Sequence, residues 1–233
     1  VQPCSFFHKI GSAGSFREMF RSKIIMAPGT ASYRIFVKNK SNQDNMMCLH
    51  ADLPGTYSTY TIKLGWKVEP AGAGDTIQFD WTLDWGVFWK KTGAVPASIA
   101  TFKDFWSYAA NPRNGSNFNL ELANGFIKLN AAQANGPPGT LYIDCAANIG
   151  QGVVSTGVTL NGAPVAAVNA FPNTLYTFAT HPTYWLAFGG FTQGKNVDIS
   201  ATNTPIRVQF QTGESDLYFE LGQDAKFTQV TAW

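Results

Sequence analysis

The sequence predicts an all-β fold, an antiparallel β-sandwich with one short helix and an N-terminal arm, and three observations predict it. Apolar and polar residues alternate with period two through most of the chain beyond residue 30, the pattern of strands with one face in a core. Two Asn-Gly pairs, Asn124-Gly125 and Asn161-Gly162, each separate apolar-rich segments and supply the positive φ angles of two-residue hairpin turns. Turn signals recur at short intervals, as they do in sandwiches.

Residues 1–29 read as the arm and residues 30–233 as the sandwich domain. Within the arm, residues 5–25 mix Phe and Ser with Lys9, Arg17, Arg21 and Lys23 around one acid, Glu18. They contain no apolar core of a secretory signal. A sorting peptide, a short docking helix starting near Ser15 and a disordered tail all remain open readings. Beyond the arm, Tyr33, Ile35 and Val37 alternate with Arg34, Phe36 and Lys38, and the polar turn SNQDN leads into a second strand from Met46 to Ala51. Ile62, Leu64, Trp66 and Val68 then share a face.

The clearest alternation spans residues 75–90, where Ile77, Phe79, Trp81, Leu83, Trp85, Val87 and Trp89 oppose Thr76, Gln78, Asp80, Thr82 and Asp84. This reads as one long strand, or a strand bulged near Gly86. A helix is expected over residues 98–110, with Ile99, Phe102, Phe105, Trp106 and Ala109 on one side, Ser98 as cap and Asn111-Pro112 as stop. It would close one end of the sandwich. Further strands are expected at 140–146, 174–179, 183–188, 195–200, 205–211, 216–221 and 225–231. The segment AAQANGPPG (131–139) is a loop or a linker, and one domain is the expectation. No fixed-period repeat points to a propeller or solenoid.

Composition bounds the function. Of 233 residues, 17 are Lys or Arg and 15 are Asp or Glu, 14% in all, where roughly 25% is ordinary. A hydrophobic content of 45% is enough for a core and excludes intrinsic disorder. With a net charge of +2 and no basic stripe, a nucleic-acid partner is not expected. No apolar run approaches the ~20 residues of a membrane-spanning helix. Between Leu129 and Gly194 the only charged side chain is Asp144. Strands there omit the Lys and Glu that normally discourage association. This stretch therefore reads as a contact surface for copies of the chain or for a glycan, beside the plainer reading of a neutral extracellular surface.

Sugars stack on aromatic faces, so 7 Trp, 8 Tyr and 18 Phe make a carbohydrate-binding, lectin-like module a second expectation. Trp66, Trp81, Trp85 and Trp89 fall on core parity. Trp106, Trp185, Trp233, Tyr57, Tyr60 and Tyr108 are left for the surface.

Groups that carry chemistry are sparse. Cys4, Cys48 and Cys145 match no zinc or redox spacing, and their odd number leaves one thiol free or paired between chains in an oxidising compartment. Cys4 is the candidate for an intermolecular disulfide. Cys48 and Cys145 lie in apolar stretches as buried thiols, with an internal disulfide as the alternative. Cys48, His50 and Asp52 share a strand face, but ligands ~7 Å apart on one straight strand converge poorly on an ion, so no metal and no cofactor is expected. His181, beside Pro182, reads as structural, and His8 lies in the arm. Asp80 and Asp84 stand ~13 Å apart along a strand, beyond the separation of a glycosidase pair. No G-x-S-x-G, P-loop or G-x-G-x-x-G motif is present. A non-enzymatic protein is expected, with carboxylates paired across strands left open.

Three groups of segments, YRIFVKNKSNQDNMMCL, LGWKV with FDWTLDWGVFW, and HPTYWLAFGGFTQGKNVDIS with PIRVQF, together resemble the octin family of fungal vacuolar crystal proteins and related bacterial all-β proteins. The resemblance covers residues 32 to about 230. It implies a structural protein that self-assembles into a dense, crystal-like matrix in a vacuole, as a homo-oligomer or lattice serving gravity sensing. No site residue carries over, because the family's role would lie in packing.

Overall fold

The computed structural model of the 233-residue chain describes residues 31–53, 61–131, 136–198 and 204–233. The arm, with Cys4, His8 and the helix expected from Ser15, lies outside the described residues, as do Tyr57 and Tyr60. Strands dominate the rest. The first six are β1 (Ser32–Asn39), β2 (Asn45–Asp52), β3 (Ile62–Lys63), β4 (Gly65–Ala71), β5 (Thr76–Thr82) and β6 (Trp85–Lys91). Next come β7 (Trp106–Ala109), a 3₁₀ turn at Pro112–Asn114, β8 (Asn117–Ala123), β9 (Phe126–Ala131) and β10 (Thr140–Cys145). The last seven are β11 (Val154–Leu160), β12 (Ala163–Asn169), β13 (Thr174–Ala179), β14 (Thr183–Gly189), β15 (Ile206–Val208), β16 (Asp216–Leu221) and β17 (Phe227–Val230).

The strands form four sheets, ordered β17-β16-β1-β5, β15-β14-β2-β4, β3-β12-β11-β6-β7 and β13-β10-β8-β9. The ladders are mainly antiparallel, as alternation and hairpins imply, but β1–β16 and β8–β10 run parallel. The two Asn-Gly pairs expected to turn hairpins do so, with φ of 53° and 79° at Asn124 and Gly125 and 51° and 75° at Asn161 and Gly162. Positive φ at both central positions is the geometry those residues favour.

Inward faces of all four sheets meet in one core, which includes Ile35, Phe79, Leu49, Leu186, Val158, Ile143 and Phe219. The architecture is all-β and sandwich-like. Aromatic packing joins the first two sheets: Trp66 meets Trp81 edge-on at 5.5 Å and stacks on Tyr184 at 5.8 Å. Trp66 also donates its indole N–H to the Leu160 carbonyl at 2.9 Å, which ties the second sheet to the third and satisfies a buried donor. Residues Ala31–Trp233 make one compact unit.

The long alternating segment divides into two strands. The Thr82 hydroxyl bonds both Asp84 and the Asn161 side chain; the corner they hold passes the chain from the sheet of β5 to the sheet of β6. There is no bulge at Gly86. Its missing side chain instead admits close packing, since a Cβ there would lie 2.5 Å from Thr159 Oγ1.

The helix expected over 98–110 does not form. One turn begins at Pro96, whose carbonyl accepts from the Ile99 and Ala100 amides. The Phe102 amide then bonds Gly194 across the fold at 2.8 Å, and residues 106–109 extend into β7, paired with β6. Apolar residues three and four apart satisfied two surfaces rather than one helix face. Phe102 and Phe105 pack on Phe88 at 5.5 and 5.2 Å, whereas Ile99 points to solvent. The strand expected at 195–200 is reduced, within its described residues, to a single bridge between Asn196 and Leu64.

This irregular segment explains part of the missing charge. It covers the outer face of the third sheet, where Ala97, Ala100 and Phe102 join Leu64, Phe88 and Ala167 in a second apolar cluster. Consequently β11 is buried at every position and β12 at all but its ends. A strand buried on both faces has no place for Lys or Glu. Neutral outward positions persist in β10 and β13, at Tyr142, Thr177 and Leu175.

Candidate functional site: an aromatic cleft

β6 delivers Trp85 and Val87 to the core, and the next residue of that parity, Trp89, reaches beyond it and is half-buried. β7 is the edge strand, and Trp106 stands directly opposite Trp89 in the ladder. The two indoles stack with centroids 6.5 Å apart and planes 17° from parallel. Stacked aromatic pairs add about 0.5–1.5 kcal/mol beyond the area they bury, so each ring steadies the other. Trp106 is nevertheless 67% exposed.

Facing this pair is the β8–β9 hairpin. The Asn124-Gly125 turn places Phe126, 72% exposed, at the start of β9, while Ile127 packs inward against the core. The rings and hairpin bound an open cleft of about 390 Å³ whose polar lining is Lys90, Lys91 and Asp104. Lys90 donates from Nζ to the Thr101 carbonyl at 2.7 Å, which anchors the segment carrying Asp104. Flat apolar faces with a few polar groups at the rim are what a ring-shaped, hydroxyl-rich ligand requires.

Of the aromatics expected at the surface, Trp106, Tyr108 and Trp233 are exposed and Trp185 is half-buried. Trp233 meets a second aromatic pair, packing edge-on against Tyr218 at 4.9 Å, while Tyr218 stacks on Phe36 at 5.0 Å. Trp89 belongs to the cleft and not wholly to the core; parity alone could not show where the core ends. Phe126 and the two lysines were missed. The signal available was Lys90-Lys91 directly after Trp89, which marks a strand leaving the interior.

The thiols do not assemble a site. Cys48 and Cys145 are buried and free, on β2 and β10, which overturns an internal disulfide between them. Burial pushes both thiols up to about 12, with the Asp144 charge adding to the effect at Cys145. They are poor nucleophiles at neutral pH. Cys48, His50 and Asp52 do share a face, but Asp52 is ion-paired to Lys63 at 2.8 Å, and no cluster of three metal-ligating side chains occurs among the described residues. His50 is 1% exposed, and neither ring nitrogen has a hydrogen-bond partner among the described residues. Asp80 faces Arg34 across a ladder, Asp84 braces the β5–β6 corner, and the cleft lining holds one carboxylate, Asp104. Among the described residues no helix is long and apolar enough to cross a membrane.

These features define a class: an all-β, sandwich-like protein whose open end carries a solvent-facing aromatic cleft. The chain belongs to the RhiA family, which it matches over residues 30–232. It is similar to protein RhiA of Rhizobium leguminosarum bv. viciae, with 27% identity over 203 residues that cover 85% of this chain and 86% of that protein. No solved structure matches it. The family match corrects the resemblance to octin and the vacuolar location taken from it: the family and the relative are bacterial. Alternating aromatic strands are common to many β-proteins and carried that resemblance without a specific motif.

Proposed function

We propose that this protein is a carbohydrate-binding, lectin-like module and that the cleft between β6–β7 and the β8–β9 hairpin is its binding site. The observation that carries this reading is the stacked Trp89–Trp106 pair, held open to solvent with Phe126 opposite and Lys90, Lys91 and Asp104 at the rim. Large aromatics this exposed forgo burial, and their grouping with convergent polar side chains is typical of a site. Self-association drew its motive from the charge-poor strands. Burial of β11 and β12 on both faces accounts for part of that deficit, so the aromatic cleft is the stronger basis.

A glycan array followed by calorimetric titration tests the reading. Saturable, sugar-competed binding is expected, weakened about tenfold or more by Trp106→Ala, in line with the energy of a lost aromatic contact. Because Trp106 is largely exposed, the variant should keep its fold. Silence across the array at high protein concentration, or unchanged affinity in Trp106→Ala, refutes it.

A further inference from the structure

We infer that the ligand of the Trp89–Trp106 cleft is an acidic oligosaccharide, one carrying carboxylates on its sugar rings. The inference rests on the carbohydrate reading above and deepens it. Two lysines, Lys90 and Lys91, contribute to the lining of the cleft against one acidic residue, Asp104. Lys103 flanks it in sequence, next to Asp104, whereas Lys128, next to Ile127, stands across the β8–β9 ladder from Glu121. Lys90, Lys91 and Lys103 take part in none of the ion pairs Arg34–Asp216, Lys40–Glu220 and Lys63–Asp52. Lys90 has three N–H donors, and among the described residues its bond to the Thr101 carbonyl brings no opposite charge to it.

A cleft that pairs an aromatic platform with unneutralised cations selects for a ligand that stacks and bears negative charge. The density of charge favours a carboxylated sugar over a nucleic acid. Asp104, sitting in the same lining, is an acceptor for ring hydroxyls but would repel closely spaced phosphates, and a phosphate-tracking groove needs a run of cations that is lacking here.

The test compares a uronic-acid tetrasaccharide with its carboxyl-reduced, neutral counterpart on the full chain at low and high salt. At low salt the acidic form should bind about fivefold tighter, the gain expected of one or two exposed charge pairs. The preference should fade at high salt. Lys91→Gln should narrow the acidic-over-neutral preference roughly two- to fivefold, and Trp106→Ala should weaken both sugars alike. Equal binding of both sugars, abolished by Trp106→Ala, overturns the acidic preference and leaves the carbohydrate reading standing. Binding of neither sugar overturns both. A single-stranded oligonucleotide that binds more tightly than the acidic sugar also overturns the inference.

Discussion

Lowering the pH below about 6.5 removes stability that this fold draws from keeping His50 neutral. The side chain is buried on the face of β2 away from the main core, directly across from Trp185 and beside Gly65 in the ladders. Desolvation lowers its pKa from 6.5 to about 4; the Lys63 charge acts in the same direction and Asp52 in the opposite one. In the unfolded chain the ring protonates near 6.5, whereas in the folded chain it stays neutral until about pH 4. Between these values the unfolded state holds more protons, so stability is fully present above pH 6.5, falls as pH drops toward 4 and is flat below. The window from 6.5 down to about 4, at 1.36 kcal/mol per pH unit, corresponds to about 3 kcal/mol. Carboxylates titrate in the same range, so the measurement is a difference between two proteins. Urea unfolding of the parent and of His50→Leu from pH 7.5 to 3.5 should show the variant gaining about 3 kcal/mol relative to the parent as the pH falls. At pH 7.5 the substitution should cost little, since it removes two unpartnered polar atoms and keeps the volume. Parallel pH curves for the two proteins would refute the assignment of the acid-sensitive term to this ring.

Gly157→Ala should be severely destabilising, by more than about 3 kcal/mol, because the new Cβ would fall 2.0 Å from the Ala166 carbonyl oxygen and 2.9 Å from the Phe88 ring; thermal unfolding measures it. Asn39→Ala should cost roughly 2–4 kcal/mol, since the buried amide donates to the carbonyls of Gln43, Ala71 and Gly72 and accepts from Ser41. Native chain labelled with a thiol reagent at pH 7.5 should leave Cys48 and Cys145 unmodified until denaturant is added, as mass spectrometry would show. Trp66→Phe should lose roughly 1–3 kcal/mol in chemical denaturation through loss of the buried indole N–H bond to the Leu160 carbonyl.

Strand positions in the first part of the sandwich were legible because local patterns determine them. Ile35 and Val37, and Phe79 and Trp81, alternate with solvent-facing partners along single strands, and the Asn-Gly turns set their own geometry. Pairing was not legible. β1 lies between β5 and β16, and the parallel ladder with β16 joins Arg34 to Asp216 across nearly the whole domain; nothing near either strand encodes that contact. The 98–110 segment misled for a related reason. Spacing of its apolar residues fits a helix, but their partners are Phe88 and Trp89 on another strand, and tertiary contacts outweigh a weak local preference.

The cleft and the shortage of charge follow from one distribution. Burying β11 and β12 on both faces requires the 92–105 segment to lie across the outer side of their sheet. That path brings the chain back along β6 as β7, so Trp106 comes to rest on Trp89 at an open edge. The same crossing is secured by Lys90 at the Thr101 carbonyl and by Asn169, whose side chain accepts from the Ala97 amide at 2.9 Å. Lysines excluded from the doubly buried strands recur where this segment and the β8–β9 hairpin meet water, around the exposed rings. An exposed, uncharged edge strand such as β7 is normally a liability. Here its neighbours carry the charge instead, which leaves the indole faces free while lysines at the rim discourage edge-to-edge pairing. Replacing Lys91 and Lys128 together with Gln should therefore raise the tendency of the chain to associate, measured by light scattering, and leave the unfolding midpoint nearly unchanged.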